Sequence, residues 1–323
     1  MNSLLSRFAE SAFWLARYME RAENLARILD VNETFARDRH SLAQWMPIVE
    51  INADEELFRE AYPNPSAQSV IQFYVLDKRN PTSISSAVSA ARENARAIRH
   101  LISTESWTHL NVFNRTLQLL DENEVRPENL PRLCAMIKEN CQTHAGITLG
   151  TFYQDQVFFF YFLGKHIERA DQTSRLIDMK YQRLAPGPEG VDDAVDAGEW
   201  TAVLRSVAGY QAFRRVHPRG LRPEVVAAFL LYDNAFPRSV ALCVEEIEDH
   251  LSRLRRDGGI GLGDDLERAF ETIKSPIRER RFATEMGSGL HRDMDLIQAY
   301  LIDLSKKIAE RFFGAEVESD VKR

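Results

Sequence analysis

Apolar residues recur three, four and seven positions apart along most of this chain, which is the spacing of one helix face. Over residues 4–31, Phe8, Leu15, Tyr18, Ala22, Leu25 and Leu29 line up as a single stripe and predict a long helix. Residues 82–103 repeat the pattern with Ile84, Val88, Ala91, Ala95, Ile98 and Ile102. They follow Asn80-Pro81-Thr82-Ser83, in which Pro81, Thr82 or Ser83 suits a first turn or cap. The same periodicity predicts helices over 42–60, 66–76, 105–121, 129–149, 153–183, 196–216, 223–232, 238–256, 264–281 and 288–313. Pro- and Gly-bearing breaks fall at 62–65, 77–81, 185–190 and 257–263, and the polar tail 314–323 is expected to fray.

The pattern also repeats itself. Residues 12–23 match residues 160–171, 148 positions later, and the match runs on through Arg27/Arg175 and Asp30/Asp178. Trp45 and Phe58 reappear as Trp200 and Phe213, offset by 155. Phe73, Asp77, Pro81 and Ser83 reappear as Phe229, Asp233, Pro237 and Ser239, offset by 156. An insertion at 185–190 accounts for the growing offset. Three collinear matches point to an internal duplication, and two copies are too few for a solenoid. The expected fold is therefore all-α, a pseudo-symmetric bundle of about a dozen helices. Its repeats are expected over 1–150 and 151–313, packed into one body, with a tail at 314–323.

Composition narrows the function. Gly 15 and Pro 12 are about 8% of 323 residues, too few punctuators for a sandwich, barrel or propeller. The longest apolar run, 157–164, is far short of a membrane span, and the N-terminus turns polar before a signal core forms. A net charge of −7 supplies no field for nucleic acid or anionic lipid. Three cysteines do not make a disulfide framework. The expectation is a cytoplasmic protein with neither nucleic-acid nor membrane partners.

The duplicated helix carries charge where a plain core helix would not. Arg21 lies seven residues from Trp14 and from Ile28, and Arg169 seven from Phe162 and from Leu176. Each guanidinium thus shares an azimuth with bulky apolar groups and needs a partner, because an unpaired buried charge costs several kcal/mol. Glu20 and Glu168 have Arg17 and Lys165 three positions earlier, and Glu23 and Asp171 have Arg27 and Arg175 four positions later. Two readings stay open: salt bridges that fix helix register, or a shared polar cavity for a cation, amine, phosphate or carboxylate. A third stretch, Arg92-Glu93-Asn94-Ala95-Arg96 with Arg99, places three guanidiniums on one face. It reads as a solvated face, as a complement to the acidic 245–249 stretch of the other half, or as an anion site. The candidate central cluster comprises Arg17, Tyr18, Glu20, Arg21, Arg92, Glu93, Asn94, Arg96, Lys165, Glu168 and Arg169.

The strings 9–24, 80–84, 91–96, 102–107 and 163–171 resemble the Alpha-E family, a bacterial all-helical domain with a Glu-Arg motif, over about residues 3–313. Lys165 stands where that family usually has arginine, and Ala16 where it usually has glycine. The resemblance implies a circularly permuted ATP-grasp protein as partner, and a transglutaminase-like protease as a further neighbour. It implies a role in peptide or amide formation through acyl-phosphate chemistry. ATP and Mg²⁺ belong to that ligase, and no cofactor is expected in this chain. The leading expectation is an auxiliary, non-catalytic component that binds the ligase or its substrate. The alternatives are an enzyme acting on an anionic small molecule at Arg92, Arg96, Glu20 and Glu168, and a scaffold whose aromatic face docks another chain.

Other chemistry is weaker. No Glu-x-x-His pair of the di-iron type occurs, so no metal site is expected. Asp192-Asp193-Ala194-Val195-Asp196 has the Asp-Asp-x-x-Asp spacing of a Mg²⁺–pyrophosphate motif, without a second copy. Cys134, Cys141 and His144 share a helix face, which favours core packing over zinc. The glycine-rich 258–263 follows a helix, not a strand, and reads as a connector.

Overall fold

The computed structural model describes residues 3–36, 42–184, 193–256, 259, 261–283 and 288–314. Among them the chain is all-α, with fourteen α-helices and no strand. In chain order these are α1 (Ser3–Ala36), α2 (Leu42–Ile51), α3 (Glu55–Ala61), α4 (Ala67–Val75), α5 (Ile84–Ala97), α6 (Thr104–Gln118) and α7 (Leu130–Thr151). They continue with α8 (Gln156–Leu184), α9 (Asp193–Ser206), α10 (Tyr210–Val216), α11 (Pro223–Tyr232), α12 (Val240–Arg256), α13 (Asp264–Arg278) and α14 (Ser288–Ile308). The 185–190 loop, Asp192, Asp257, Gly258, Ile260 and the tail from 315 lie outside the described residues.

The chain forms two compact units. One, the N-unit, is Ser11–Gly164; the other, the C-unit, is Met1–Glu10 with Lys165–Arg323. In the N-unit α5 packs on α6 and α6 on α7; in the C-unit α11 packs on α12, α12 on α13 and α13 on α14. The apolar run 157–163 is buried throughout, so it is core and presents no exposed aromatic face. At Gly164 a Cβ would run into the carbonyl oxygen of Phe13, so glycine lets the backbones of α8 and α1 meet there.

Two helices expected as single pieces are each broken in two. The 42–60 segment divides at Ala53 and the 196–216 segment at Ala208, where φ is 55° and 56°. Both breaks close by the same pair of hydrogen bonds: Asp54 N to Val49 O (3.1 Å) with Ala53 N to Glu50 O (3.1 Å), and Gly209 N to Leu204 O (2.7 Å) with Ala208 N to Arg205 O (2.9 Å). These are Schellman turns with alanine in the left-handed position that glycine usually fills. Pattern reading missed them because alanine gives no break signal.

The two breaks are 155 residues apart, like the flanking Trp45/Trp200 and Phe58/Phe213, all fully buried. Each unit then builds the same aromatic contact. Phe58 meets Phe73 at 5.2 Å between centroids in the N-unit, and Phe213 meets Phe229 at 5.4 Å in the C-unit. Ser83 and Ser239 occupy matching N-cap places, accepting from Ser86 N (3.2 Å) and Leu242 N (3.1 Å).

Candidate functional site

The Glu-Arg helices bury their acids. Glu20 and Glu168 are 4% and 0% exposed, and Glu23 and Asp171 are also buried. The i,i+4 pairs expected from sequence are formed alike in both: Arg27 Nη2 lies 2.6 Å from Glu23 Oε1, and Arg175 Nε lies 2.8 Å from Asp171 Oδ2. Arg17 lies over the rings of Phe13 and Trp14, at 5.6 and 5.0 Å, and Arg21 over Tyr18 at 5.8 Å. Arg169 donates from Nη1 to the Pro237 carbonyl (3.2 Å), and Thr173 donates to the Arg238 carbonyl (2.9 Å). These two bonds staple α8 to the turn before α12. The Arg169 guanidinium thus answers a backbone carbonyl of its own unit, a structural role for that one atom group.

The basic face of α5 gathers two of its arginines around one acid. Arg92 Nη1 and Arg96 Nη2 both pair with Glu93, at 2.5 and 2.7 Å. Arg92 Nε also donates to Asn111 Oδ1 (2.7 Å), while Arg92 and Arg99 lie over the Trp107 ring at 5.5 and 5.4 Å. Asn94 donates to the Ala90 carbonyl (2.9 Å). Arg96 and Glu93 are exposed, and Glu93 lines an open cleft of about 380 Å³ with Lys78, Ser86 and Gln118. Screened pairs of this kind are worth roughly 0–1 kcal/mol. One carboxylate offsets one of the two guanidinium charges and holds both side chains in place.

Of the predicted cluster, Arg17, Tyr18, Glu20, Arg21, Arg92, Glu93, Asn94 and Arg96 belong to the N-unit, and Lys165, Glu168 and Arg169 to the C-unit. Within the N-unit, Arg92, Glu93 and Arg96 are brought together by the ion pairs above. Two acids of the 245–249 stretch find cations inside their own unit: Glu248 meets Lys274 at 2.7 Å and Asp249 meets Arg253 at 2.8 Å. The zinc alternative at Cys134, Cys141 and His144 is not formed: these buried groups do not converge to ligand distance among the described residues. Burial beside Asp30 also pushes the Cys134 thiol well up, away from thiolate. In the glycine-rich connector, Arg311 donates to the Gly261 carbonyl (2.7 and 3.0 Å), tying it to the chain end. The side chains of the 192–196 acidic motif lie outside the described residues.

Two side-chain groups escaped the sequence reading, both in the C-unit. His166, Glu246 and His250 gather between α8 and α12, and Asp178, His291 and Asp295 between α8 and α14. The i,i+4 spacing of Glu246 and His250 was the available signal for the first group; a search for i,i+3 pairs passes over it. In the second, His291 Nδ1 lies 2.6 Å from Asp178 Oδ1, which raises the imidazole's affinity for its proton.

These features define a class: an all-helical domain whose Glu-Arg helices bury their acids and set half-buried arginines beside them. The chain belongs to the Alpha-E family, whose model, described as a predicted alpha-helical domain with a conserved ER motif, matches residues 4–313. No curated protein and no solved structure matches it. No helix among the described residues is long and apolar enough to cross a membrane.

Proposed function

We propose that this chain is a helical accessory component of a bacterial, cytoplasmic ATP-grasp system that forms peptide or amide bonds. On this reading it binds its partner ligase, or that ligase's substrate, and leaves ATP and Mg²⁺ to the partner. One observation carries the reading: the Alpha-E match spans 4–313, and the described residues of that span are helical with no strand on which to build a nucleotide-binding sheet. The Arg92–Glu93–Arg96 face lies open to solvent, with Arg96 67% exposed, which weighs against an enclosed anion pocket there. The reading also takes the two units as copies of one ancestral unit, supported by the matched Schellman turns and serine caps.

The test mixes the purified chain with the ATP-grasp protein encoded beside it. The chain alone is expected to turn over no ATP, and its addition is expected to change the ligase's rate or its sedimentation. ATP hydrolysis by the chain alone, or no effect on the ligase in either assay, contradicts the reading. Glu20→Gln and Arg21→Met then separate a structural role from a binding one: loss of folding marks the first, loss of the effect in a folded protein the second.

A further inference from the structure

We propose that His166, Glu246 and His250 form a binding site for a divalent first-row transition ion of the zinc or ferrous type. The site lies wholly within the C-unit and does not depend on the accessory role.

The argument begins with ligand chemistry. Two imidazole nitrogens and one carboxylate oxygen are borderline donors, which suit zinc and ferrous ions and are poor for Mg²⁺ or Ca²⁺. Glu246 Oε2 lies 4.0 Å from His166 Nε2 and 3.8 Å from His250 Nε2, and the ligand atoms of all three lie within 4.8 Å of one another. Neighbouring ligands around an ion at about 2.1 Å stand roughly 3.0–3.4 Å apart. The two measured edges are therefore open by roughly 0.4–1.0 Å. The Glu246 side chain, 43% exposed, is free to make up that distance by rotating. The two histidines are held: both are buried, with ring centroids 6.0 Å apart and planes 27° from parallel.

Charge agrees with geometry. Among the described residues no lysine or arginine comes within ion-pair distance of Glu246, whose contacts are the two imidazoles. The nearby α12 acids are committed elsewhere, Glu248 to Lys274 and Asp249 to Arg253. Arg253, one turn beyond His250, is thereby answered by Asp249. Histidine ligates a metal through a neutral ring nitrogen, and both rings here sit beside a carboxylate with no competing lysine or arginine among the described residues. Three protein ligands with a solvent-facing carboxylate leave coordination positions open, as in sites that bind water or substrate on the metal rather than closed structural ones.

The neighbouring trio makes the contrast. Asp178 sits 2.6 Å from His291 Nδ1 and Asp295 3.6 Å from His291 Nε2, so the carboxylates take opposite edges of one ring. That arrangement favours the protonated imidazole, which competes with an ion for the ring nitrogens.

The experiment uses the full chain, stripped with chelator and titrated calorimetrically with zinc chloride, then with ferrous ion under nitrogen. One ion per chain is expected from at least one titration. Glu246→Gln, at a half-exposed position that leaves the helix intact, is expected to weaken binding by about a hundredfold or more. His250→Gln is expected to do the same, with circular dichroism checking that it folds. Asp295→Asn is expected to leave binding unchanged. Absence of uptake in both titrations overturns the proposal, as does uptake that Glu246→Gln leaves unaltered or that Asp295→Asn abolishes.

Discussion

The two units share landmarks, the left-handed Ala53 and Ala208 turns and the Ser83 and Ser239 caps, and differ in where they put polarity. In the N-unit, Asp54 is buried and accepts from Tyr74 Oη (3.1 Å) and Thr82 Oγ1 (3.1 Å), tying the α2–α3 break to α4 and the α5 entry. At the matching offsets the C-unit has Gly209, Leu230 and Arg238, and Phe236 fills the space beside Gly209. The C-unit in turn gathers His166, Glu246 and His250, where the N-unit has Tyr18, Ala90 and Asn94. Further along the same helices, Asp30 pairs with Lys138 at 2.6 Å and Asp178 with His291 at 2.6 Å. The N-unit thus spends its buried polarity on permanent hydrogen bonds and ion pairs. The C-unit places three imidazoles where protons or metal ions compete for them, and that is where we look for chemistry.

The largest effect expected from breaking this comparison is at the matched pair Ala16 and Gly164. Gly164→Ala drives a Cβ into the Phe13 carbonyl and is expected to cost about 3 kcal/mol in urea unfolding. Ala16→Gly costs only the helix-propensity difference, about 1 kcal/mol. Next, Asp54→Ala removes the acceptor of Tyr74 and Thr82 and is expected to cost about 2 kcal/mol by the same assay.

Acid supplies the third test. His250 has a folded value depressed to about 4 against 6.5 for a free imidazole, so the unfolded chain takes up the proton first. Its contribution is complete above about pH 6.5 and is lost as pH falls toward about 4, for a drop of about 2 kcal/mol between roughly pH 7.5 and 4.5. His250→Asn, which installs the N-unit's residue, is expected to flatten that part of the pH–stability curve. His291 runs the other way: Asp178 raises it, so its contribution is present below the ordinary imidazole value and fades as pH climbs through the raised one. Asp178→Asn is expected to move the His291 NMR titration midpoint downward. The smallest effect is stabilising: Ala53→Gly and Ala208→Gly relieve left-handed alanine and are each expected to add about 0.5 kcal/mol, read as a small rise in Tm.

Helical periodicity was legible because amphipathic stripes such as Ile84-Val88-Ala91-Ala95 are set by local spacing, and all four are buried. Serine caps were legible for the same reason. The breaks at Ala53 and Ala208 were hidden, because a Schellman turn is closed by backbone bonds and alanine carries no mark of it. The Glu93–Arg96 pair could be read from its i,i+3 spacing, whereas the Arg92–Glu93 contact could not, because adjacent helix positions do not face each other. Two of the three members of the histidine set were equally local, Glu246 with His250 one turn away. Its third member, His166, arrives on another helix from far earlier in the chain, and only the packing of α8 against the α12 entry brings it there.

Anomalous diffraction at the zinc absorption edge, on crystals of zinc-loaded full chain, tests the difference between the units most directly. The account predicts one peak, bounded by the Nε2 atoms of His166 and His250 and the carboxylate of Glu246, and none beside Tyr18 and Asn94. A peak confined to Asp178, His291 and Asp295, or no ordered ion in either unit with zinc or, at the iron edge, with ferrous ion, would contradict it.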